Sequence, residues 1–484
     1  MSTENSNTAK TETLTTDIIV IGGGPVGENA AQYATEDSDL EAIIIEEELL
    51  GGECSYYACI PSKTMLRPIE LAHVTQHLDG LTGAHIDADA ILQRRDEWVS
   101  HYDDKGQIDW AQGAGLRVER GHAQLIGERT VLINEPNPVV VQARHAVVIA
   151  TGSQPTVPQT FVDVAPWLSR DATGVREVPD SLIIVGGGVV AVEAATWMAA
   201  LGTRVRMLVR GQGLLSGQEP FAGEHVAKAL ESAGVIIDRE TKVEACYRPG
   251  AEDTGLGQVH GGQVTVQTLG PAGESTVTAD EILVATGREP RLNELGLESL
   301  GLADEDIAAG HLPDWLYAAG DASSEAPLTH WGKYRARVIG AQIRDRATGE
   351  ESESVPENVP VPQVVYSDPQ VASVGMTEAD ARKRGHEIEV SQLPFTGSAG
   401  TSLLRDDAEG TAQIVVDART GMLLGATFVG PEAAELIHPA TVAIVGQVPV
   451  HVLRHAVPSF PAASELWLPL LEGLPRRMRL TLSP

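Results

Sequence analysis

The sequence predicts an α/β chain in which two similar domains, each built on a parallel β-sheet, precede a mixed α+β domain. Three observations predict this fold class. An apolar strand runs into a glycine-rich turn and then a helix at Gly22, and the same pattern recurs at Gly186. Each copy is followed later by an apolar strand that ends in Ala-Thr-Gly, at Gly152 and at Gly287. Residues 361–484 alternate strands and helices without such a glycine turn.

The first glycine turn has the spacing of a dinucleotide-binding site. Gly22, Gly24 and Gly27 form G-x-G-x-x-G between a strand and a helix, and Pro25 lies inside this motif. The glycines allow a tight turn, a close approach of backbone amides to a pyrophosphate, and close packing of helix on strand. Glu46 ends the next predicted strand, where a carboxylate accepts hydrogen bonds from ribose hydroxyls. This context favours a nucleotide site over a chance glycine turn.

The second glycine turn differs from the first at the ribose position. Gly186 and Gly188 open it, and Arg210 follows at the spacing that Glu46 has in the first copy. An acid there would bind a ribose 2′-hydroxyl, whereas an arginine suits a 2′-phosphate. The pattern therefore favours NADP over NAD, and the alternative is an ordinary surface arginine.

Two of the three cysteines, Cys54 and Cys59, lie five positions apart. A glycine pair that includes Gly52 precedes them, and Lys63 follows them. Such closeness in a chain with few cysteines indicates a redox pair. Residues five apart on an ideal helix are roughly 8.7 Å apart between Cα atoms, and a disulfide needs about 4.4–6.8 Å. A bond between them therefore requires a distorted backbone, and a strained, accessible disulfide is labile. The alternative is two buried thiols.

A long helical pattern follows from about residue 62 to residue 93, and Pro68 is expected to interrupt it. Short strands are predicted between residues 115 and 150. Residues 248–276 are rich in Gly, Thr and Gln and indicate a hairpin meander. The third cysteine, Cys246, is far from the other two and is typical of a buried thiol.

Composition excludes several classes of function. The chain has 484 residues and a formal net charge of −32, which disfavours nucleic acid and anionic membranes as partners. It contains no apolar run long enough for a transmembrane helix. Residues 1–16 are polar and indicate a disordered tail rather than a signal peptide. Few cysteines indicate a reducing, cytoplasmic location.

Taken together, these motifs resemble the flavoprotein disulfide reductases, a family that includes dihydrolipoamide dehydrogenase, glutathione reductase, mycothione reductase and mercuric reductase. The most specific match is Gly-Gly-x-Cys-x4-Cys-Ile-Pro-Ser-Lys, and the resemblance extends over the chain after its polar tail. It implies two Rossmann-like dinucleotide-binding domains, for FAD and NAD(P), and a C-terminal α+β dimerisation domain. It also implies electron flow from NAD(P)H to FAD, then to a Cys54–Cys59 disulfide, and then to an acceptor.

The resemblance assigns roles to individual residues. Cys59 would be the thiol next to the flavin, and Cys54 the thiol that meets a small-molecule substrate. Lys63 would stabilise the thiolate and the reduced flavin, with Glu193 as its ion-pair partner; the alternative is a solvated surface pair. The remaining expected cofactor contacts are Gly52, Ala123, Thr151, Gly152 and Asp321 for FAD, and Gly186, Gly188, Glu193, Arg210 and Gly287 for NAD(P).

The chain departs from the family at one catalytic position. The family's C-terminal His-Pro-x-x-Ser-Glu aligns with a segment that begins at Phe460 and ends at Glu465. Phenylalanine cannot transfer a proton, so the usual acid/base contribution of about 10²–10⁴-fold is absent there. Glu465 keeps the family's orienting position, and His455 lies five residues upstream of Phe460, where an ordinary histidine is the favoured interpretation. Tyr56 and Tyr57, between the cysteines, either donate protons or line the pocket.

The predicted organisation and function follow from these points. The domain bounds are a tail at 1–16, an FAD domain at 17–172 and 288–350, an NAD(P) domain at 173–287, a linker at 351–360 and a dimerisation domain at 361–484. The leading hypothesis is a homodimeric FAD-dependent NAD(P)H oxidoreductase acting on a lipoyl group or a low-molecular-weight disulfide. A quinone or metal-ion reductase that needs no histidine is the alternative. A non-catalytic NAD(P)H-sensing flavoprotein is the alternative of another class.

Overall fold

The computed structural model describes residues 12–134, 138–356 and 359–480. Its strands are β1 (Glu12–Ile21), β2 (Ala42–Glu46), β3 (Arg117–Arg120), β4 (Ala123–Gly127), β5 (Thr130–Ile133), β6 (Val139–Ile149), β7 (Ser153–Pro155), β8 (Ser181–Val185), β9 (Arg204–Leu208), β10 (Ile236–Asp238), β11 (Lys242–Tyr247), β12 (Val264–Gly270), β13 (Gly273–Ala279), β14 (Glu281–Val284), β15 (Arg288–Pro290), β16 (Leu316–Ala318), β17 (Gln363–Val365), β18 (Gln370–Gly375), β19 (Ile388–Pro394), β20 (Thr411–Asp417) and β21 (Leu423–Gly430).

The helices are α1 (Pro25–Thr35), α2 (Gly52–Tyr56), α3 (Cys59–Gln76), α4 (Ala88–Trp98), α5 (Lys105–Gly113), α6 (Gln159–Val162), α7 (Ser169–Thr173), α8 (Val189–Ala200), α9 (Pro220–Ser232), α10 (Asp304–Ala309), α11 (Thr329–Thr348), α12 (Glu378–Lys383), α13 (Ala399–Ser402), α14 (His438–Val445), α15 (Val450–Leu453), α16 (Trp467–Glu472) and α17 (Arg476–Arg479). Short 3₁₀ turns cover Ser100–Tyr102, Leu297–Leu300, Gly320–Ser323, Ala433–Leu436 and Ala463–Leu466.

Spatial contacts divide the chain into two compact units. The first unit contains residues 1–60, 99–154 and 288–355, and the second contains residues 61–98, 155–287 and 356–484. The predicted NAD(P) and dimerisation segments therefore fall in the same unit. The domain bounds inferred from the sequence stay a prediction.

The first unit is built on a seven-stranded sheet in the order β3-β2-β1-β6-β5-β4, with β16 also paired to β6. Strands β1, β2, β3, β6 and β16 pair in parallel, and β4 and β5 extend the sheet antiparallel. Alternate residues of β1 bury opposite faces: Ile19 and Ile21 lie in one apolar cluster, and Ile18 and Val20 in another. A parallel sheet covered on both faces requires such continuous apolar strands.

The second unit contains a four-stranded parallel sheet, β10-β9-β8-β14, and a three-stranded antiparallel sheet, β11-β12-β13. A five-stranded antiparallel sheet, β17-β18-β21-β20-β19, lies in the C-terminal segment. This combination of parallel and antiparallel sheets matches the predicted α/β and α+β classes. The apolar core under the five-stranded sheet includes Phe395, Phe428 and Trp467.

Three local predictions are corrected by the structure. Strand β1 begins at Glu12, so the predicted tail ends earlier, because residues 12–16 pair with β6; residues 1–11 lie outside the described part. Helix α3 runs through Pro68 to Gln76, since Met65, Leu66 and Ala72 bury its apolar face. The chain leaves the helix after Gln76 and resumes helical structure at α4.

The predicted linker has neither helix nor strand at residues 351–356 and 359–360.

Candidate active site

The first glycine turn joins β1 to α1 and leaves no room for side chains. Gly22 has φ +101°, and a Cβ there would lie 2.3 Å from the carbonyl oxygen of Ala150. A Cβ on Gly27 would lie 1.9 Å from the carbonyl oxygen of Gly22. Pro25 is the first residue of α1, where its missing N–H costs nothing. The backbone is therefore bare at the start of a helix, as a bound pyrophosphate requires.

Glu46, at the end of β2, bonds to the backbone around this turn. Its Oε2 accepts a hydrogen bond of 2.7 Å from the amide of Gly23, and its Oε1 accepts one of 2.7 Å from the amide of Glu48. Burial raises the pKa of Glu46, although these amide bonds lower it. The carboxylate thus lies beside the glycine turn, where a ribose would be bound.

The cysteine segment approaches the same turn. Gly52 has φ +58°, and a Cβ on it would lie 2.7 Å from the Cα of Gly24. Helix α2 begins at Gly52 and carries Cys54, and α3 begins at Cys59. The two cysteines therefore lie on two successive helices rather than on one continuous helix, so the ideal helical spacing does not apply to the pair.

Cys54 and Cys59 are both thiols in this structure. The hydrogen bond with Cys59, together with burial, raises the pKa of the Cys54 thiol, and Thr329 and Lys333 act in the opposite direction. The hydroxyl of Thr329, the first residue of α11, lies 3.3 Å from the sulfur of Cys59. The two thiols are thus coupled by a hydrogen bond, and the hydroxyl of Thr329 lies next to Cys59.

A polar chain links α2 to the predicted flavin contact Asp321. Arg288 forms an ion pair with Glu53, and its Nε donates a 2.8 Å hydrogen bond to the hydroxyl of Ser153. That hydroxyl donates a 2.5 Å hydrogen bond to Asp321. Sequence reasoning missed Glu53, Ser153 and Arg288, because partners so far apart along the chain carry no spacing signal.

Thr151 and Gly152 form the Ala-Thr-Gly turn after β6. Gly152 has φ +74°, and the hydroxyl of Thr151 donates a 2.6 Å hydrogen bond to the carbonyl of Arg291. The predicted contact Ala123 is buried in β4, in the apolar cluster with Ile19, so only its backbone can face a cofactor.

Glu28 is a fourth residue that sequence reasoning missed. It lies in the first turn of α1, and burial raises its pKa to about 7, while the charge of Lys333 lowers it and that of Glu46 raises it. Its Oε1 is buried and has no hydrogen-bond partner among the described residues. A buried carboxyl oxygen without a partner, beside the glycine turn, fits a cofactor group that supplies the missing partner.

The two tyrosines between the cysteines have different environments. Tyr56 is 4% exposed, and burial raises its pKa to about 12. The ring of Tyr57 stacks on Tyr102, with ring centroids 5.4 Å apart. Tyr56 is therefore a core residue and Tyr57 part of an aromatic stack.

The second glycine turn joins β8 to α8 in the other compact unit. Gly186 has φ +134°, and a Cβ there would lie 2.4 Å from the carbonyl oxygen of Ala285. A Cβ on Gly188 would meet nothing within 4 Å, which leaves open space at the start of α8. Gly287, after β14, has φ +142°. Arg210 is exposed just after β9.

Lys63 and Glu193 form an ion pair in this second unit. The Nζ of Lys63 lies 2.7 Å from Glu193 Oε2 and 4.9 Å from the ring centroid of Tyr366. The other carboxylate oxygen of Glu193 accepts a 2.9 Å hydrogen bond from the amide of Tyr366. Lys63 lies one turn after Cys59 on α3. The ion pair is anchored, because the side chain of Glu193 is only 6% exposed.

The C-terminal segment contains no histidine in the family's position. Phe460 is 78% exposed. Glu465 accepts hydrogen bonds from the amides of Gly400 at 3.0 Å and Ala462 at 3.3 Å, so its carboxylate caps a turn. His455 is exposed and lies two residues after the end of α15. Cys246 lies in β11, and burial raises its pKa to about 11.

Residues 16–337 match the family described as pyridine nucleotide-disulphide oxidoreductase, and residues 361–469 match the dimerisation domain of the same family. The chain belongs to this family. It is an FAD-dependent oxidoreductase that uses a pyridine nucleotide and a redox-active disulfide, as the resemblance predicted. Within the described residues, no helix is long and apolar enough to cross a membrane.

Two similar proteins have the names of different enzymes. A dihydrolipoyl dehydrogenase of Haloferax volcanii is 30% identical over 467 residues, covering 93% of this chain and 94% of the relative. A mercuric reductase of Staphylococcus aureus is 28% identical over 444 residues, covering 88% of this chain and 77% of the relative. The chain is similar to both over most of its length.

A solved structure has the same fold. The Cu(II) complex of the HOCl-induced flavoprotein disulfide reductase RclA from Escherichia coli superimposes with a TM-score of 0.78, at 24% identity, covering 95% of this chain and 99% of that one. The predicted fold class is confirmed.

Proposed function

We propose that this chain is an NADPH-dependent reductase that passes electrons through Cys54 and Cys59 to a small disulfide or a lipoyl group. The observation that carries the proposal is the pair of thiols coupled by a hydrogen bond, with the hydroxyl of Thr329 3.3 Å from the sulfur of Cys59. The net reaction is NADPH + H⁺ + RSSR → NADP⁺ + 2 RSH, in which two electrons and two protons reach the substrate sulfurs.

The residues of the first unit suit FAD. The bare turn at Gly22 and Gly27 would take the pyrophosphate, Glu46 the ribose, and Asp321 the sugar-alcohol chain. When bound, FAD supplies a two-electron link between the nicotinamide and the cysteine pair. The unpartnered oxygen of Glu28 supports this fit, because a protonated Glu28 can donate to a phosphate oxygen.

Cys54 and Cys59 divide the sulfur chemistry. We assign Cys54 to the attack on the substrate disulfide, which forms a mixed disulfide and releases one thiol. Cys59 then attacks the sulfur of Cys54, closes the protein disulfide and releases the second thiol. The hydroxyl of Thr329, 3.3 Å from Cys59, can donate to its thiolate. Hydrogen bonding of this kind favours the ionised sulfur.

Lys63 is assigned to charge stabilisation on α3. The buried carboxylate of Glu193 holds the Nζ of Lys63 at 2.7 Å, which keeps the ammonium oriented. A positive charge near a cysteine favours its thiolate. This role rests on the match of Lys63 and Glu193 to the family pattern.

The choice of nicotinamide cofactor rests on Arg210. Its exposed position after β9 suits contact with a 2′-phosphate, so we propose NADPH over NADH. An Arg210→Glu variant should lower kcat/KM for NADPH at least tenfold and leave that for NADH within a few fold. Equal loss for both cofactors would contradict this assignment.

A metal ion or quinone is the second candidate acceptor. Phe460 cannot exchange protons, and Glu465 bonds to backbone amides, so the usual acid/base pair for thiols is missing. Reduction of a metal ion needs no such pair. The similarity to a mercuric reductase, and to a reductase solved as a Cu(II) complex, supports this candidate.

We also propose a cytoplasmic homodimer. The match of residues 361–469 to a dimerisation domain supports the dimer, and the low cysteine content supports a reducing compartment. Sedimentation that gives a monomer at micromolar concentration would contradict the dimer.

A screen of reduction rates at a fixed NADPH concentration identifies the acceptor. The acceptors compared are lipoamide, glutathione disulfide, mycothiol disulfide, mercuric ion and benzoquinone. If the disulfide proposal is correct, one disulfide should be turned over at least tenfold faster than the other acceptors. Cys54→Ser should abolish that turnover and spare quinone reduction. Fast reduction of benzoquinone or mercuric ion alone would favour the second candidate. A protein that turned over no acceptor would instead be a sensor.

A further inference from the structure

His73, in the last turn of α3, and His77, the first residue after this helix, form a cluster with an aspartate from the loop after α13, outside the cysteine site. We propose that His73, His77 and Asp407 bind a divalent transition-metal ion of the zinc and copper class. The cluster lies within one compact unit, and nothing in the proposed reaction uses these residues.

The spacing of the three side chains suits one ion. The Nε2 of His73 lies 3.4 Å from Asp407 Oδ2, and the Nδ1 of His77 lies 3.8 Å from the same oxygen. One ligand atom from each of the three residues lies within 4.8 Å of the others. Ligands on a tetrahedral ion with bonds of about 2.1 Å are roughly 3.4 Å apart. Binding therefore requires the ligand atoms to approach one another by at most about 1.4 Å.

A neighbouring carboxylate prepares His73 for coordination. The Nδ1 of His73 is hydrogen-bonded to Asp368, and a carboxylate can only accept, so the ring proton lies on Nδ1. The lone pair of Nε2 then points to the side of Asp407. Metal-bound histidines commonly donate their second N–H to a carboxylate in this way, which orients the ring and makes it a stronger ligand.

Arg405 holds both carboxylates in place. Its NH1 donates to the two oxygens of Asp368 at 3.0 and 2.9 Å. Its Nε lies 2.5 Å from Asp407 Oδ1, which leaves Oδ2 facing the histidines. With neutral histidines, Asp368, Asp407 and Arg405 sum to one negative charge. The net negative charge of the cluster thus favours the binding of a cation, although the guanidinium of Arg405 is positive.

The loop is also fixed by backbone bonds to the end of α3. The amide of Asp406 donates to the carbonyl of His77 at 2.9 Å, and the amide of Asp79 donates to Asp406 Oδ2 at 2.7 Å. These bonds hold Asp407 against the helix without an ion. A pre-organised site loses less conformational entropy when the ion binds.

The ligand set and its exposure indicate the kind of site. Two imidazoles and one carboxylate favour zinc, copper or nickel over magnesium or calcium. The side chains of His73, His77 and Asp407 are 34%, 40% and 37% exposed, so water can complete the coordination and the ion can exchange. Coordination by His77 Nδ1 replaces its present 2.9 Å contact with the carbonyl of His73. We therefore expect a weaker, exchangeable site rather than a closed structural one.

The test is a zinc titration by isothermal calorimetry on the FAD-loaded full chain, stripped of metal with a chelator and kept oxidised. A Cys54→Ser/Cys59→Ser variant is titrated in parallel, because thiols are competing zinc ligands. Both proteins should bind one zinc ion per chain. His77→Ala and Asp407→Asn should each weaken that binding at least tenfold, and Asp368→Asn should weaken it 10- to 100-fold through the orientation of His73.

His311→Ala is the matched control, since His311 is exposed and lies in the other compact unit; its zinc affinity should equal that of the unchanged protein. Zinc-edge absorption should show imidazole ligands and no sulfur in the oxidised protein. The proposal is overturned if no zinc binds to the unchanged protein, or if His77→Ala and Asp407→Asn bind it as tightly. Binding is measured without turnover, so its failure would leave the reductase assignment standing, and failure of the acceptor screen would leave the metal site standing.

Discussion

Replacing Glu193 with glutamine should disable the ion pair with Lys63 while nearly preserving the shape of the side chain. Glu193 has two acceptor oxygens, and each faces a donor: Lys63 Nζ at 2.7 Å and the amide of Tyr366 at 2.9 Å. Glutamine has one acceptor oxygen and an NH₂ group. One donor must therefore face another donor in a site where the side chain of residue 193 is only 6% exposed.

The size of the effect follows from the one hydrogen-bond donor that glutamine leaves without an acceptor. A buried donor left without its acceptor costs about 1–3 kcal/mol. Lys63 is 36% exposed, so water can solvate its ammonium in part, and the loss of the charge pair itself adds little after screening. We expect a destabilisation of about 2 kcal/mol, and a 10- to 100-fold fall in kcat with the best acceptor if Lys63 stabilises charge in the reaction.

Two measurements check the expectation: the urea midpoint of the FAD-loaded protein and stopped-flow oxidation of NADPH. The matched control is Glu231→Gln, because Glu231 pairs with Arg239 at 2.8 Å on the surface, where the two side chains are 44% and 40% exposed. That variant should change stability by less than about 0.5 kcal/mol and leave turnover unaltered. If Glu193→Gln behaved like the control in both measurements, the ion pair would be only a surface feature and the role of Lys63 would be wrong.

Three further predictions concern the first glycine turn and the C-terminal segment. Gly27→Ala should yield protein without bound FAD, seen as loss of flavin absorbance after gel filtration, because its Cβ would lie 1.9 Å from the carbonyl oxygen of Gly22; retention of a full complement of FAD would contradict the fit. Burial raises the pKa of Glu28 to about 7, so the native state holds a proton that the unfolded state releases near pH 4.5. The unchanged protein should lose roughly 2.5 kcal/mol of stability relative to Glu28→Gln as the pH rises from 5 to 8, measured by denaturation of FAD-free protein; a pH-independent difference would exclude the titration. Phe460→His should raise disulfide turnover at least tenfold if the missing base limits the rate, and an unchanged rate would indicate a pocket built for another acceptor.

Features that depend on contiguous residues could be predicted from the sequence. The turns at Gly22 and Gly186 are dictated by local sterics, since only glycine combines a positive φ with the close approach of another backbone. The cysteine pair and the departure at Phe460 are likewise visible in single segments. These features predicted the fold class and two dinucleotide sites, and the family resemblance that they carry implied FAD and the disulfide chemistry.

Other features were decided by tertiary packing. Pro68 lacks an N–H and by local propensity should interrupt α3, yet the helix continues because its buried apolar face outweighs one lost hydrogen bond. Glu465 has the family's orienting position in the sequence, but in the structure it caps a turn.

The sequence by itself therefore determined the class of protein and the order of its motifs, because each motif is a local constraint on the backbone. Only the tertiary structure brought together the residues that are distant along the chain: Glu53 with Arg288 around the cysteines, and His73 with Asp407 in the candidate metal site. Side-chain contacts of this kind depend on how strands and helices pack, and neither residue in such a pair carries a local signal of its partner.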